Sequence, residues 1–183
     1  MTTVAIRTLE PGDRPAVLDL VRRAFATGGR DGKEEADIVR DTWALRTGSS
    51  VIDLVAEIGA GLAGHIIGAQ GDLAGQAVPG IAPVSVVPEH QGEGVGSALM
   101  QAWLELASAR GWPAVLILGD PAYYGRFGFI PAAEHGVSYA SFGRQDPHFQ
   151  VKILDPSRPV TGGAYHYCWE LGRPGAAEPG RDG

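Results

Sequence analysis

The sequence predicts an α+β fold, with a mixed and mostly antiparallel sheet flanked by helices. Apolar runs over 51–57 and 61–69 are joined by the short turn IGAG, which is typical of a β-hairpin. A strand, a helix and a second strand follow one another over 81–119, and such a unit makes its two strands parallel. Near the end of the chain, two more β-type runs predict a closing antiparallel pair, at 148–154 and 163–171.

The elements before the hairpin are a strand and two helices. The run VAIRTL, residues 4–9, has β-branched residues at its inner positions and predicts the first strand. Asp13 is typical of an N-cap, and the apolar stripe that follows predicts a helix to about Phe25. A second helix is predicted for about 34–46. The glycine-rich residues 70–80 are expected to connect the hairpin to the next strand.

The elements after the hairpin surround a helix that three glycines open. The run at 81–87 predicts a strand, and helical spacing of apolar residues extends from the glycines to about Arg110. Residues 114–119 are apolar without alternation, as in a strand covered on both faces. We expect one domain over 1–171 and a disordered tail over 172–183, because that tail has nothing to bury.

Composition limits the classes of function. The net charge of −6, with no basic run, argues against nucleic acid as a partner. Cys168 is the only cysteine, so an internal disulfide and a cysteine-based metal site are excluded, and we expect no bound metal. The chain has neither a membrane-length apolar run nor a signal-peptide pattern at its start. We therefore expect a cytoplasmic protein that does not act at a membrane.

The stretch PVSVVPEHQGEGVGSAL places Gly92, Gly94 and Gly96 directly before a helix. A helix N-terminus has unpaired N–H groups and a partial positive charge, so it can bind a phosphate. A P-loop is excluded because Ser97 stands where that motif has lysine. A dinucleotide fingerprint fits poorly, since its third glycine falls on Ser97 and PEHQ separates the strand from the glycines. A Rossmann-type nucleotide enzyme is nevertheless kept as an alternative.

The pattern that fits is Q-x-x-G-x-G, formed by Gln91, Gly94 and Gly96. Here the chain resembles the GNAT acyl-CoA N-acetyltransferases, whose corresponding segment reads VVPEHQGEGVGSAL in this sequence. The family's later aromatic-Tyr-x-x-x-Gly-Phe pattern also has a counterpart, YYGRFGF, with Tyr124 in register. The block GDPAYYGRFGF is similar to one subgroup of predicted bacterial acetyltransferases. The resemblance extends over 4–171 and implies a strongly twisted sheet in which two parallel strands splay apart.

The resemblance also implies acetyl-CoA as co-substrate. The backbone around the glycines is expected to hold the CoA pyrophosphate, and the preceding strand edge is expected to pair with the pantetheine arm. Tyr124 is expected to face the CoA sulfur and assist thiolate departure, and the backbone N–H of Val87 to stabilise the oxyanion. The residues implied in CoA binding are Val86, Val87, Gln91, Gly92, Glu93, Gly94, Val95, Gly96 and Ser97.

The acceptor is implied to be a primary amine of a small molecule or peptide, attacking directly in a ternary complex. Four side chains and a water chain stay open as the base; the side chains are Glu57, His65, Ser85 and His90. We expect the acceptor pocket to be walled by the loop 26–35, the strand around His65 and the loop 155–163. A non-catalytic acyl-CoA sensor remains an alternative, and the sequence is compatible with a homodimer.

The residues around Tyr124 have other expected roles. Tyr123, Phe127 and Phe129 are expected to form an aromatic core cluster, and Asp120 is expected to cap a short helix.

Overall fold

The structure is a computed structural model that describes residues 3–142, 146–160 and 162–171. Its strands form one nine-stranded sheet within those residues. They are β1 Val4–Thr8, β2 Val51–Ile58, β3 Gly61–Leu73, β4 Gln76–Val86, β5 Ala114–Leu118, β6 Ile130–Pro131, β7 Val137–Tyr139, β8 Phe149–Ile153 and β9 Gly163–His166. The α-helices of the same residues are α1 Arg14–Phe25, α2 Lys33–Leu45, α3 Val95–Ala109, α4 Pro121–Tyr124 and α5 Cys168–Leu171.

The sheet is mixed and mostly antiparallel, which confirms the predicted fold class. Its order is β1-β2-β3-β4-β5-β8-β6, with β9 paired to β3 and β7 paired to β9. The parallel pairs are β4 with β5 and β7 with β9. Because α3 connects β4 to β5 as a crossover helix, these two central strands run in the same direction.

β4 and β5 separate soon after they meet. They pair only where Gly80 faces Leu116 and Ile81 faces Ile117, although β4 continues to Val86. We call this opening, between 82–86 of β4 and 118–119 at the end of β5, the splay. A β-bulge lies at its closed end. Ile66 of β3 pairs with Val84 and Gly68 pairs with Ile81, so β4 has one more residue than β3 between these two pairs. The extra residue redirects β4, as bulges do, and turns it away from β5.

Each face of the sheet has its own core. On one face, Trp103 of α3 is fully buried and packs with Ile66 and Val115. On the other face, α1 and α2 bury Val21 and Val39 against the sheet, and the C-terminal segment adds a cluster of tyrosines. The splay therefore lies between two well-packed layers, and it is held open by rigid neighbours on both sides.

The prediction of a long connection at 70–80 is wrong. β3 runs to Leu73 and β4 begins at Gln76, so a two-residue turn joins them, with Ala74 and Gly75 both at positive φ. The glycines in these strands make room for tyrosine rings. A Cβ on Gly80 would stand 2.5 Å from the Tyr165 hydroxyl oxygen, which is closer than atoms can pack. High glycine content here reflects close packing rather than a loop.

The predicted closing pair is also wrong. β8 pairs with β5 and β6, while β9 pairs with β3 and β7. β9 ends at His166 and α5 follows, so 163–171 is not one strand. β8 covers the open edge of β5. β9 covers the edge of β3 at Asp72 and Leu73, beyond the part that pairs with β2. The tail predicted at 172–183 lies outside the described residues. Across the described parts of the chain, no helix is both long and apolar enough to span a membrane.

Candidate active site

The splay opens into a cleft of about 1060 Å³. We call the part next to the start of α3 the loop end, and it is lined by Gln91, Gly92, Gly94, Gly96, Ser97 and Tyr123. We call the opposite part the α2 end, and it is lined by Phe25, Glu34, Glu35, Ile38, Trp169 and Glu170. Between the two ends, the walls are formed by Val84 and Val86 of β4 and by Tyr124 of α4.

The loop end is built from backbone. Gly92 and Gly94 have φ angles of 79° and 88°, a left-handed conformation that favours glycine, and no atom lies within 4 Å of where their Cβ would be. Gly94 is the N-cap of α3, so the first N–H groups of this 15-residue helix face the cleft without intrahelical partners. With the helix dipole, this arrangement suits an anion.

Gly96 is a glycine for a different reason. A Cβ there would stand 2.8 Å from the hydroxyl oxygen of Tyr123, which lies over the first turn of α3. The guanidinium of Arg126 stacks on the Tyr123 ring at 4.4 Å from its centroid. The prediction of Tyr123 as a core residue is therefore wrong, since its side chain forms part of the cleft wall. Phe129 is buried in the core as expected, and Phe127 packs against the same cluster.

Most of the predicted CoA-binding residues do meet at the cleft. The seven that line it are Val86, Gln91, Gly92, Gly94, Val95, Gly96 and Ser97. Glu93 is half-exposed and pairs with His90 at 2.9 Å, and it does not line the cleft. Val87 is buried under α1 and α2 instead.

The backbone of Val87 corrects the predicted oxyanion donor. Its N–H donates to the carbonyl of Ala63 in β3 at 3.0 Å, so it points away from the splay. Since N–H and C=O groups alternate between the two edges of a strand, those of Val84 and Val86 face the splay. The side-chain amide of Gln91 donates to the Val86 carbonyl at 3.0 Å, which agrees with that direction. On β4, the backbone donors that face the splay are therefore the N–H groups of Val84 and Val86.

Tyr124 stands at the mouth of the splay. Asp120 caps α4 by accepting a hydrogen bond from the Ala122 N–H at 2.9 Å, which confirms its predicted role. The Tyr124 ring lies so close to Gly119 that a Cβ there would stand 2.3 Å from ring carbon Cε2. Burial, with smaller contributions from Tyr123 and Asp120, raises the pKa of Tyr124 well above its usual value. The phenol is therefore protonated throughout the physiological pH range and can act as a hydrogen-bond donor.

The four candidate base side chains lie in three different places. Glu57 is ion-paired with Arg7 at 2.7 Å, at the β1–β2 edge. His90 lines the loop end of the cleft. His65 and Ser85 stand opposite each other on β3 and β4, both buried below the surface of the cleft.

His65 belongs to a buried polar group that the sequence does not reveal. Its Nε2 lies 2.7 Å from Oδ1 of Asp53, and the other Asp53 oxygen accepts a hydrogen bond from the Trp43 indole at 2.6 Å. Within the described residues, the His65 Nδ1 and Ser85 Oγ atoms have no hydrogen-bond partner. His65 thus forms a hydrogen-bonded group with Asp53 and Trp43, and Ser85 stands opposite His65 without a hydrogen bond to that group.

Sequence reasoning did not single out two cleft residues, Glu35, which lies within the predicted wall 26–35, and Tyr167. The Glu35 side chain is 12% exposed; one oxygen is ion-paired with Arg30, while Oε2 is buried without a hydrogen-bond partner among the described residues. Tyr167 lines the cleft from the segment after β9. An acidic first helical turn is usually only a dipole effect, and a tyrosine near a strand end is ordinary, so neither position carried a signal. Of the predicted acceptor walls, 26–35 contributes Glu34 and Glu35, whereas the described part of 155–163 contributes nothing.

Among the described residues, no three His, Cys, Asp or Glu side chains are grouped so that they could hold a metal ion.

The geometry is that of a known family. The acetyltransferase (GNAT) domain profile matches residues 5–132. The chain belongs to the GNAT acetyltransferase family. The uncharacterised N-acetyltransferase YhbS of Escherichia coli K12 is 33% identical over 162 residues, 86% of this chain and 92% of that protein. The uncharacterised N-acetyltransferase YjhQ of the same organism is 29% identical over 128 residues, 68% of each chain.

Solved structures agree with this GNAT assignment. The crystal structure of E. coli YhbS in complex with CoA has a TM-score of 0.79 at 30% identity and covers 91% of both chains. A GNAT acetyltransferase of Brucella melitensis in complex with acetyl-CoA has a TM-score of 0.69 at 28% identity, covering 91% of this chain and 97% of that one. The Rossmann-type alternative is therefore wrong, and the mostly antiparallel sheet is the physical reason.

Proposed function

We propose that this GNAT chain transfers an acetyl group from acetyl-CoA to a primary amine by direct attack in a ternary complex. The observation that carries the proposal is the splay itself. It places an unpaired strand edge, at Val84 and Val86, between a backbone anion site and the phenol of Tyr124. The CoA and acetyl-CoA complexes of the two similar GNAT structures support this use of the cleft.

The direction of β4 sets the orientation of CoA. The pyrophosphate binds the loop end, at the N–H groups around Gly94. The pantetheine arm then enters the splay as an added strand and meets Val86 before Val84. The thioester, which is the end farthest from the phosphates, lies near Val84. Its N–H is the backbone donor for the oxyanion that forms when the amine attacks.

Tyr124 assists departure of the thiolate. A phenol of ordinary pKa near ~10 protonates a thiolate of pKa near ~8.5 only uphill, by about 2 kcal/mol. The raised pKa of Tyr124 makes full transfer still less favourable. Tyr124 therefore acts mainly by donating a hydrogen bond to the sulfur as negative charge develops there.

The acceptor enters from the α2 end. Glu35 lines this end; its Oε1 is ion-paired with Arg30, and its buried Oε2 has no hydrogen-bond partner among the described residues. The aromatic residues Phe25 and Trp169 line the same end. A carboxylate beside aromatic faces favours a cationic amine, which we infer to be the acceptor class. The open cleft lets the amine lose its proton to solvent before attack, with no side chain required as base.

A turnover assay with free CoA as readout tests the proposal against amines, polyamines, amino acids and peptides. We expect turnover with at least one cationic amine, and a larger increase in melting temperature with CoA than with NAD. Binding of acetyl-CoA with no turnover across the whole panel would favour the non-catalytic sensor instead. A larger stabilisation by NAD than by CoA would contradict the cofactor assignment.

A further inference from the structure

A second phenol, that of Tyr167, reaches the closed end of the splay. The side chain is 2% exposed, and its ring lies against Gly80, where a Cβ would stand 2.5 Å from ring carbon Cε1. Gly80 is one of the two β4 residues that still pair with β5, facing Leu116. Tyr167 therefore approaches the splay from the face opposite α3, beside the place where the two strands separate.

Among the described residues, the Tyr167 hydroxyl has no hydrogen-bond partner of normal geometry, although the backbone N–H of Leu118 is near enough to act on its oxygen as a weak donor. Its oxygen is buried and makes no hydrogen bond within the part of the chain that the structure describes. A buried hydroxyl left unpaired costs free energy, and native proteins keep few such groups. Within the described residues, the Tyr167 O–H therefore has no acceptor atom for its proton.

The surroundings of the Tyr167 hydroxyl, which include Tyr124 and Leu118, determine its protonation state. Burial raises the pKa of Tyr167 well above its usual value, with smaller contributions from Tyr139, Glu170 and Tyr124, while the N–H of Leu118 acts in the opposite direction. The Gly119 N–H donates to the carbonyl of His148, directly before β8, so by strand alternation the Leu118 N–H points to the splay. Tyr167, Tyr124 and Leu118 of β5 line the same cleft, and the Tyr167 phenol is protonated.

Packing fixes the direction of this hydroxyl. The indole of Trp169 stacks on the Tyr167 ring at a centroid distance of 4.2 Å. The rings of Tyr165 and Tyr139 meet it edge-on at 5.0 and 5.5 Å. A ring held on three sides cannot move its hydroxyl to another partner, so the group is preorganised.

We propose that the Tyr167 hydroxyl donates a hydrogen bond to the carbonyl oxygen of the bound thioester. This inference rests on the proposed acetyltransferase function. The amine nitrogen forms a bond to the carbonyl carbon, and the carbonyl electron pair moves to the oxygen, which the Val84 N–H and the Tyr167 O–H stabilise. The pair then returns, the carbon–sulfur bond breaks and the thiolate leaves towards Tyr124. The new amide nitrogen loses its extra proton to solvent in the open cleft, while Tyr167 keeps its proton throughout. The two phenols thus serve two different atoms of the thioester.

Tyr165 provides a matched control. It is as deeply buried as Tyr167 and lies two residues away, but its hydroxyl already donates to the Val78 carbonyl at 3.1 Å. Tyr165→Phe removes a hydrogen bond that is made, so it should lower the melting temperature and leave turnover unchanged. Tyr167→Phe removes a hydroxyl with no partner, so it should leave the melting temperature unchanged or higher and still reduce turnover. A purely structural role for the two hydroxyls cannot produce this opposite pattern.

The experiment measures kcat, kcat/KM and the dissociation constants of acetyl-CoA and CoA for the wild type and both variants. For Tyr167→Phe we expect kcat to fall by about 100-fold, as when an oxyanion donor is lost, and kcat/KM for acetyl-CoA to fall at least as much, because a contact already made in the bound thioester is lost too. CoA has no thioester carbonyl, so its affinity should be unchanged, while the affinity for acetyl-CoA relative to CoA should fall severalfold.

The affinity ratio keeps this inference separate from the proposed function, because it needs no turnover. A fall in that ratio for Tyr167→Phe supports the contact even if no amine is acetylated, whereas loss of kcat alone supports a contact made only in the transition state. A Tyr167→Phe protein with both the ratio and kcat unchanged overturns the inference. Equal losses in Tyr165→Phe also overturn it.

Discussion

The two ends of the cleft are built in different ways. The loop end is made of backbone, with N–H groups exposed by Gly92 and Gly94 over a short stretch of chain. The α2 end is made of side chains, such as Glu35 and Trp169, that come from segments far apart in the sequence. A phosphate needs only amides and a helix dipole, whereas an acceptor needs a particular shape and charge. The loop end therefore has a sequence motif, and the α2 end has none.

The largest effect should be a loss of CoA affinity when a carboxylate is added at the loop end. Gly94→Glu directs a carboxylate into open space at the anion site, so we expect CoA affinity to fall by more than about 100-fold through like-charge repulsion. Calorimetric titration with CoA measures it. Gly75→Glu is the matched control, because Gly75 has nearly the same φ, 85° against 88°, and equally open surroundings in the β3–β4 turn. Similar losses of CoA affinity in both variants would mean that backbone strain, and not the phosphate cradle, is responsible.

The next largest effect should distinguish the adjacent residues Tyr123 and Tyr124, which lie where the two ends of the cleft meet. Tyr124→Phe keeps the ring and deletes the hydroxyl, so kcat should fall by about 10- to 1000-fold with CoA affinity unchanged. Tyr123→Phe should show the reverse, because its hydroxyl lies over Gly96 at the loop end. We expect a severalfold weaker CoA affinity and unchanged kcat. Steady-state kinetics with CoA titrations distinguishes the two variants, and the opposite pattern of effects would contradict both roles.

These contrasts show what the sequence could and could not predict. The positions of Gly94 and Tyr124 in the cleft could be predicted because each lies within a local motif, one through backbone conformation and the other through its place in a short helix. The same reasoning misassigned the Val87 N–H, since which strand edge a peptide group faces depends on the register with β3. Tyr167 and Glu35 could not be singled out from the sequence, because they come together only when distant segments meet at the cleft. Residues 70–80 were mistaken for a loop because their glycines reflect packing against Tyr165 and Tyr167.

A smaller effect should come from the α2 end. Glu35→Gln keeps the size of the side chain and removes its charge, so we expect KM for a cationic acceptor to rise about tenfold, or about 1.4 kcal/mol. Glu34→Gln is the control, since Glu34 also lines the cleft but its side chain is 80% exposed, and its KM should change less than about twofold. CoA affinity should be unchanged in both. If Glu35→Gln instead alters CoA affinity and leaves the acceptor KM unchanged, the two ends are not independent.

The smallest effect on turnover should come from the buried group beneath the splay. Asp53 accepts hydrogen bonds from Trp43 and His65, and Asp53→Asn replaces one accepting oxygen with a donor. The mismatch should lower the free energy of unfolding by about 1–3 kcal/mol, measured by urea denaturation. Glu57→Gln, in a half-exposed ion pair with Arg7, should cost less than about 1 kcal/mol.

Because His65 and Ser85 are buried away from the cleft, kcat of Asp53→Asn should stay within about twofold of the wild type, and its dependence on pH should be unchanged. A displaced pH–rate profile in the folded variant would instead place His65 in the path of the acceptor's proton, and the buried group would then be part of the active site.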